Sequence, residues 1–298
     1  MTQKSFRLEE IEELHRAACE RGESSYVDPL TRYRVFTADA LRRRRKCCGC
    51  GCRHCPYHHE NVPPPRRAAI AKQVTFLAGE PSANRTTPID LLFWSGGKDS
   101  LLAARALARE HAVDGASLVL LTTFDAGSRR VAHQEVDIAQ VVRQAEVLNL
   151  PLLGVPLWPH IAYEERLRDA FALLRGRGVK VRRICGGDLH LAPVWRWRLD
   201  TVGCIADEIF GAGAVTLHAP LWKVPYDSLL ADLAASAVPC RICAIGVGFE
   251  RMGASIGELF GPELLSKLNP SCDAMGEHGE FHTLAEVWAA PRDPLRDA

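Results

Sequence analysis

From Ile89 onward the chain alternates short apolar runs with longer amphipathic ones, and this restricts its fold more than any other feature of the 298 residues. The runs IDLLFW (89–94), SLVLLTTF (117–124), LPLLGVPL (150–157), VKVRRICGG (179–187) and AVTLHAPL (214–221) read as strands. Helical spacing fills 100–111, 134–148, 163–177 and 194–208 between them. Near-continuous apolar strands joined by helices predict an α/β fold, a parallel sheet covered on both faces.

The upstream residues are organised differently. Phe6, Ile11, Leu14, Ala17 and Ala18 recur at helical spacing over 4–22, and YVDPLTRYRVFTADALRRRR then reads as a turn, a short strand and a basic segment. Two polar, turn-rich stretches, NVPPPRRAAIAKQ (61–73) and GEPSANRTTP (79–88), carry prolines that favour stiff, extended chain. The domain boundary therefore falls between residues 62 and 88, with a small module over 1–75 and the α/β domain over 86–298.

A formal charge of +1 sets up no field that would draw nucleic acid or an anionic membrane, so neither is the favoured partner. The N-terminal stretch is charged and lacks the apolar centre of a signal peptide, and no apolar run approaches the roughly 18 residues of a membrane span. A cytoplasmic protein is expected.

Eleven cysteines are many for such a chain, and five of them (Cys47, Cys48, Cys50, Cys52 and Cys55) fall within nine residues. Clustered thiols in a reducing compartment point to metal or redox chemistry ahead of a disulfide framework. With His58 nearby, the spacing Cys48-x3-Cys52-x2-Cys55 can close on one metal, and thiolate with imidazole suits Zn²⁺ or an iron–sulfur cluster. The segments DPLTRYRVFT and CCGCGCRHCPY are similar to signatures of a small bacterial family of unknown function.

The turn SGGKDS (95–100) joins the first strand to the first helix of the α/β domain. Glycines running into a helix N-terminus offer backbone N–H groups and a positive dipole end to an anion. The Walker pattern fails, because Leu92 and Asp99 stand where it requires a glycine and a hydroxyl residue, and no G-x-G-x-x-G opens a strand–helix turn. In its place Ser95, Gly96, Gly97, Asp99 and Ser100 resemble the loop of the PP-loop ATP pyrophosphatases. That resemblance implies a Rossmann-like, HUP-type domain in which ATP is split to AMP and pyrophosphate.

Two further segments carry candidate chemistry. GGDLHLAPVWRWR (186–198) ends a strand and begins a helix, which puts Asp188 at the carboxyl edge of the sheet. SCDAMGEHGEFHT (271–283) compresses Asp273, Glu277, His278, Glu280 and His282 with two glycines, a density of carboxylates that needs protons, bases or a cation to compensate it. Together with APLW (219–222), the order of these motifs resembles the diphthine–ammonia ligase family.

The resemblance implies a carbon–nitrogen ligase in which ATP and Mg²⁺ activate a carboxylate, such as one on a protein side chain, and ammonia or another amine displaces AMP. It divides the domain into a nucleotide-binding part, 86–225, and a C-terminal substrate part, 226–298, and is compatible with a homodimer. Ser95, Gly96, Gly97, Lys98, Asp99, Ser100 and Arg198 would hold the nucleotide, with Asp99 as a Mg²⁺ ligand. Asp188, Glu277, Glu280 and His282 would serve the chemistry, the glutamates orienting the acceptor or amine and His282 carrying a proton. The chain departs from the family at Ala192, Pro193 and Trp195, where an acidic pair and an arginine are common, so the acceptor can differ. Two alternatives stand beside the ligase: RNA sulfur transfer using Cys240 and Cys243, and a nucleotide sensor that binds ATP without cleaving it.

Overall fold

The computed structural model describes residues 13–28, 33–57, 60–63, 73–81, 87–158, 161–246, 248–249 and 252–296. Its centre is a six-stranded sheet of β3 (Thr75–Ala78), β4 (Ile89–Phe93), β5 (Ser117–Asp125), β6 (Leu152–Leu157), β7 (Val181–Cys185) and β8 (Thr216–His218). The spatial order is β3-β6-β5-β4-β7-β8. All pairs are parallel except β3 with β6.

Strand alternation sends successive side chains to opposite faces, and the central strands are apolar on both. Leu92, Leu120 and Leu152 enter one core, under α3 (Lys98–Asp114) and α4 (Ile138–Val147). Leu91, Val119, Leu121, Leu153 and Val155 enter the other, under α5 (Tyr163–Gly176) and a long helix made of α6 (Ala192–Trp197), a π-helical turn (Arg198–Gly203) and α7 (Cys204–Phe210). The result is the three-layer, mixed α/β arrangement that the alternation predicts, consistent with a Rossmann-like fold.

Strand order fixes where a ligand can enter. The chain steps from β4 to β5 and β6 on one side and crosses back to β7 and β8 on the other, so the connections after β4 and β7 leave in opposite directions. A crevice opens at the carboxyl ends of two such strands, and residues 95–100 and 186–190 both lie there. The remaining elements cover the first core: α8 (Tyr226–Ser236), the antiparallel pair β9 (Cys240–Ile245) and β10 (Phe281–Ala285), and α9 (Pro262–Lys267) between them.

Some boundaries differ from the sequence pattern. The helix expected from 134 starts after Asp137, whose side chain accepts from Ala139 N, and 125–137 is a turn with positive φ at Arg129, His133 and Glu135. The run 214–221 contributes only a three-residue edge strand. Thr75–Ala78, at the end of the first module and its linker, joins the sheet edge.

Toward the N-terminus lie a helix α1 (13–20), a hairpin of β1 (Ser25–Val27) and β2 (Arg34–Phe36), the short helix α2 (Ala38–Arg42) and the cysteine-rich loop. Among the described residues no helix is long and apolar enough to cross a membrane.

Candidate functional site

The loop 95–100 owes its shape to residues far away in sequence. Gly96 has φ +81°, and a Cβ there would lie 2.6 Å from the Gln144 side chain. Gln144, fully buried in α4, accepts from Trp94 Nε1 at 2.9 Å and donates to Gly96 O at 2.8 Å and Ala285 O at 2.7 Å. Ala285 N donates to Gly96 O and Lys98 N to Thr283 Oγ1, so β10 is laced to the loop along its edge. Ser95 Oγ accepts from Gly97 N and Ser100 Oγ donates to Gly97 O, which completes the first turn of α3.

Gly187 brings the second strand end against the first. A Cβ on it would stand 2.9 Å from Asp99 O and 3.2 Å from Ser100 N, so only glycine allows this approach. Next to it Arg198 Nε donates to Asp188 Oδ1 at 3.0 Å and sits 2.8 Å from the buried Oδ2, which has no hydrogen-bond partner of its own. Lys223 N donates to Leu189 O at 2.7 Å, tying the segment that contains APLW to this loop.

Lys98, expected to meet phosphate, is buried instead. Its Nζ is 2.9 Å from Asp99 Oδ2, donates to Met275 O at 2.5 Å and lies over the rings of Phe260 and Phe281. It pins the 271–283 segment to the start of α3, so its charge is committed inside the fold.

That segment folds around two carboxylates with different duties. Glu280, 1% exposed, accepts from Asp273 N at 2.8 Å and His278 N at 3.0 Å, so both oxygens brace their own loop. Glu277 faces the other acids. Burial raises its carboxyl to about 7, with repulsion from Asp99, Asp273 and Asp188 adding to the effect and Lys98 opposing it. Asp273 accepts from Met275 N, Glu277 N and Tyr226 OH, and Tyr226 OH also meets His190 Nδ1 at 3.2 Å. His282 lies elsewhere in the site, its ring 5.5 Å from that of His133.

The crevice thus gathers Ser95, Asp99, Ser100, Asp188, Arg198, Asp273 and Glu277 from four segments. His133, Gln144, His190, Tyr226 and Thr283 are additions that motif reading passes over. Gln144 left a trace in the sequence, a polar residue on the apolar face formed by Val141, Ala145 and Leu148. The hard oxygen donors suit Mg²⁺, which needs only one or two carboxylates beside phosphate oxygens.

The cysteines arrange as two pairs: Cys48 and Cys52 with sulfurs 3.3 Å apart, and the buried Cys47 and Cys55 at 3.9 Å. A hydrogen bond from the Cys50 backbone holds the Cys48 thiol low, whereas burial raises Cys52 to about 11. Cys50 Sγ turns to Cys48 O, and His58 lies outside the described residues. Among the described residues no three His, Cys, Asp or Glu side chains converge on a metal position. The module reaches the α/β domain through Arg53, which pairs with buried Asp28 at 2.8 Å and donates to Gly127 O at 3.1 Å.

One family model matches the chain, a family of unknown function (DUF5522), over residues 14–61. It covers α1, the hairpin, α2 and the cysteine loop, and none of the crevice residues.

Proposed function

We propose that the chain is an ATP-dependent carbon–nitrogen ligase that forms AMP and pyrophosphate, with a carboxylate as acceptor and ammonia or another amine as donor. The observation that carries this is the meeting of the SGGKDS turn and the Asp188 loop at the point where strand order reverses, with Gly187 packed on the first turn of α3. A 17-residue helix begins there, and the positive end of a helix favours the phosphates of a nucleotide.

Activation by ATP solves a definite chemical problem. A carboxylate is a poor electrophile near neutral pH, and the mixed anhydride with AMP gives it a good leaving group. Ser95, Ser100 and the backbone at 96–100 bind and orient the phosphates, with little bond-making left to the protein. Asp99 would hold Mg²⁺ against the phosphates, and that ion supplies neutralisation of the charge that develops on them. Arg198 positions Asp188 at the edge of the crevice. Glu277, half protonated near neutral pH, can accept from or donate to an incoming group where its ionised neighbours only accept.

RNA sulfur transfer is less well supported. It requires a thiolate, and burial raises Cys240 and Cys243 both to about 12, which keeps them protonated.

The deciding experiment is ATP turnover by the full chain with ammonium chloride and a cell extract as acceptor source, with nucleotides resolved. AMP with pyrophosphate is expected; ADP with phosphate, or ATP bound and left intact, would sink the ligase and leave the nucleotide sensor.

A further inference from the structure

We propose that His190 is the base that takes the proton of the incoming amine, held for that task by Tyr226 and Asp273. This rests on the ligase reading above and names a residue at the same site. The three side chains come from the loop after β7, the first turn of α8 and the 271–283 segment, so only the folded chain assembles them.

The polarity of the hydrogen bonds fixes the histidine tautomer. Asp273 Oδ1 is occupied by Met275 N at 2.8 Å and Glu277 N at 3.2 Å, and Oδ2 accepts from Tyr226 OH at 2.8 Å. Burial alone would raise this carboxyl, but the hydrogen bonds from Tyr226 and the two backbone groups hold it below its usual range, so it is ionised and only accepts. Tyr226 has one proton, and it is committed to Asp273. Its oxygen therefore accepts from His190 Nδ1 at 3.2 Å. A neutral imidazole with hydrogen on Nδ1 carries its lone pair on Nε2.

With Nδ1 turned to Tyr226, Nε2 is the nitrogen left for a substrate. His190 is exposed at the mouth of the crevice while Tyr226 is half-buried, and the two rings pack 5.7 Å apart at 47°. The His278 ring stands edge-on at 6.4 Å on another side. Of the other candidates, Glu280 is consumed by backbone donors and His282 sits with His133, while Glu277 has the role of orienting the incoming group.

The step balances. The amine nitrogen attacks the acyl carbon and the C–N bond forms. The bond from that carbon to the phosphate oxygen breaks, AMP leaves with the electron pair, and one amine proton passes to Nε2.

Two measurements test the assignment. In the full chain labelled with ¹⁵N-histidine, long-range ¹⁵N–¹H correlations, assigned with His190→Gln, should show His190 protonated at Nδ1 and bare at Nε2. Tyr226→Phe, which removes the acceptor without removing the ring, should shift it toward the opposite tautomer. A wild-type His190 protonated at Nε2 overturns the proposal. In the AMP-forming assay with ammonium chloride and extract, His190→Gln should lower turnover about 100-fold or more while ATP affinity stays within about twofold. Turnover by His190→Gln within about twofold of wild type overturns the proposal with the ligase intact, whereas a wild type that forms no AMP overturns the ligase reading itself.

Discussion

Glu277 is the residue whose charge state the fold disturbs most openly at the crevice. Its carboxyl stands at about 7, raised by burial and by Asp99, Asp273 and Asp188 against the pull of Lys98, and in the unfolded chain it returns to about 4.3. Between those values the folded chain binds the extra proton, so stability is fullest at the acid end and falls as pH rises toward 7. Glu277→Gln removes the titrating group and should therefore stabilise the protein by about 1 kcal/mol at pH 8, with little effect near pH 4.5. The effect is smaller than a fully buried carboxyl would give because the side chain is only partly buried and solvent screens it. Thermal melts of both proteins at the two pH values check this; a difference that does not change with pH would mean that the fold leaves the Glu277 carboxyl at its unfolded proton affinity.

At the scale of elements, the loop 95–100 is a joint between β4, α4 and β10 with Gln144 as its pin. Gln144→Ala strips partners from Trp94 Nε1, Gly96 O and Ala285 O, all buried together. The expected cost is about 2–4 kcal/mol, with ATP affinity falling alongside the melting temperature. Calorimetric titration with ATP on the folded variant separates the two effects, and unchanged affinity would mean that the loop keeps its shape without the pin. Strand β4 and helix α4 of this joint were legible because their signals are local, a short continuous apolar run in IDLLFW and period 3.6 in IAQVVRQAEV, whereas β10 lay within a segment read for its carboxylates. The joint itself was not, since Gln144 and Ala285 are 141 positions apart. The same holds for His190 and Tyr226, 36 positions apart, whose segments are also joined by the hydrogen bond from Lys223 N to Leu189 O. Lys98 looked like a phosphate ligand because sequence shows its neighbours and not Met275, Phe260 and Phe281, which bury it.

Across the whole molecule, the crevice at one end of the sheet is matched by an ion network at the other. Asp90 interrupts the apolar run of β4 at its N-terminal end, a visible oddity in the sequence with no nearby partner to explain it. Folding brings Arg182 and Arg183 from β7 and His111 from α3 onto its two oxygens, and Glu110 and Asp114 close the ring around the arginines. Burial pushes the Asp90 carboxyl up, but the hydrogen bonds from His111, Arg183 and Arg182 outweigh it and hold the group well below the usual carboxylate range. The stabilisation from a depressed carboxyl is complete above its unfolded value of about 3.9 and is lost as pH falls through and below it. Asp90→Asn should thus cost about 2–3 kcal/mol at pH 7, below the range for a fully buried pair because both arginines reach solvent. The cost should shrink as pH drops from 5 to 3, so that acid unfolding of the variant is less steep than that of wild type. Urea unfolding at pH 7, 5 and 3 measures this directly. Equal costs at all three would mean that the network stabilises the sheet through packing and neutral hydrogen bonds, with the ionised carboxylate contributing nothing of its own.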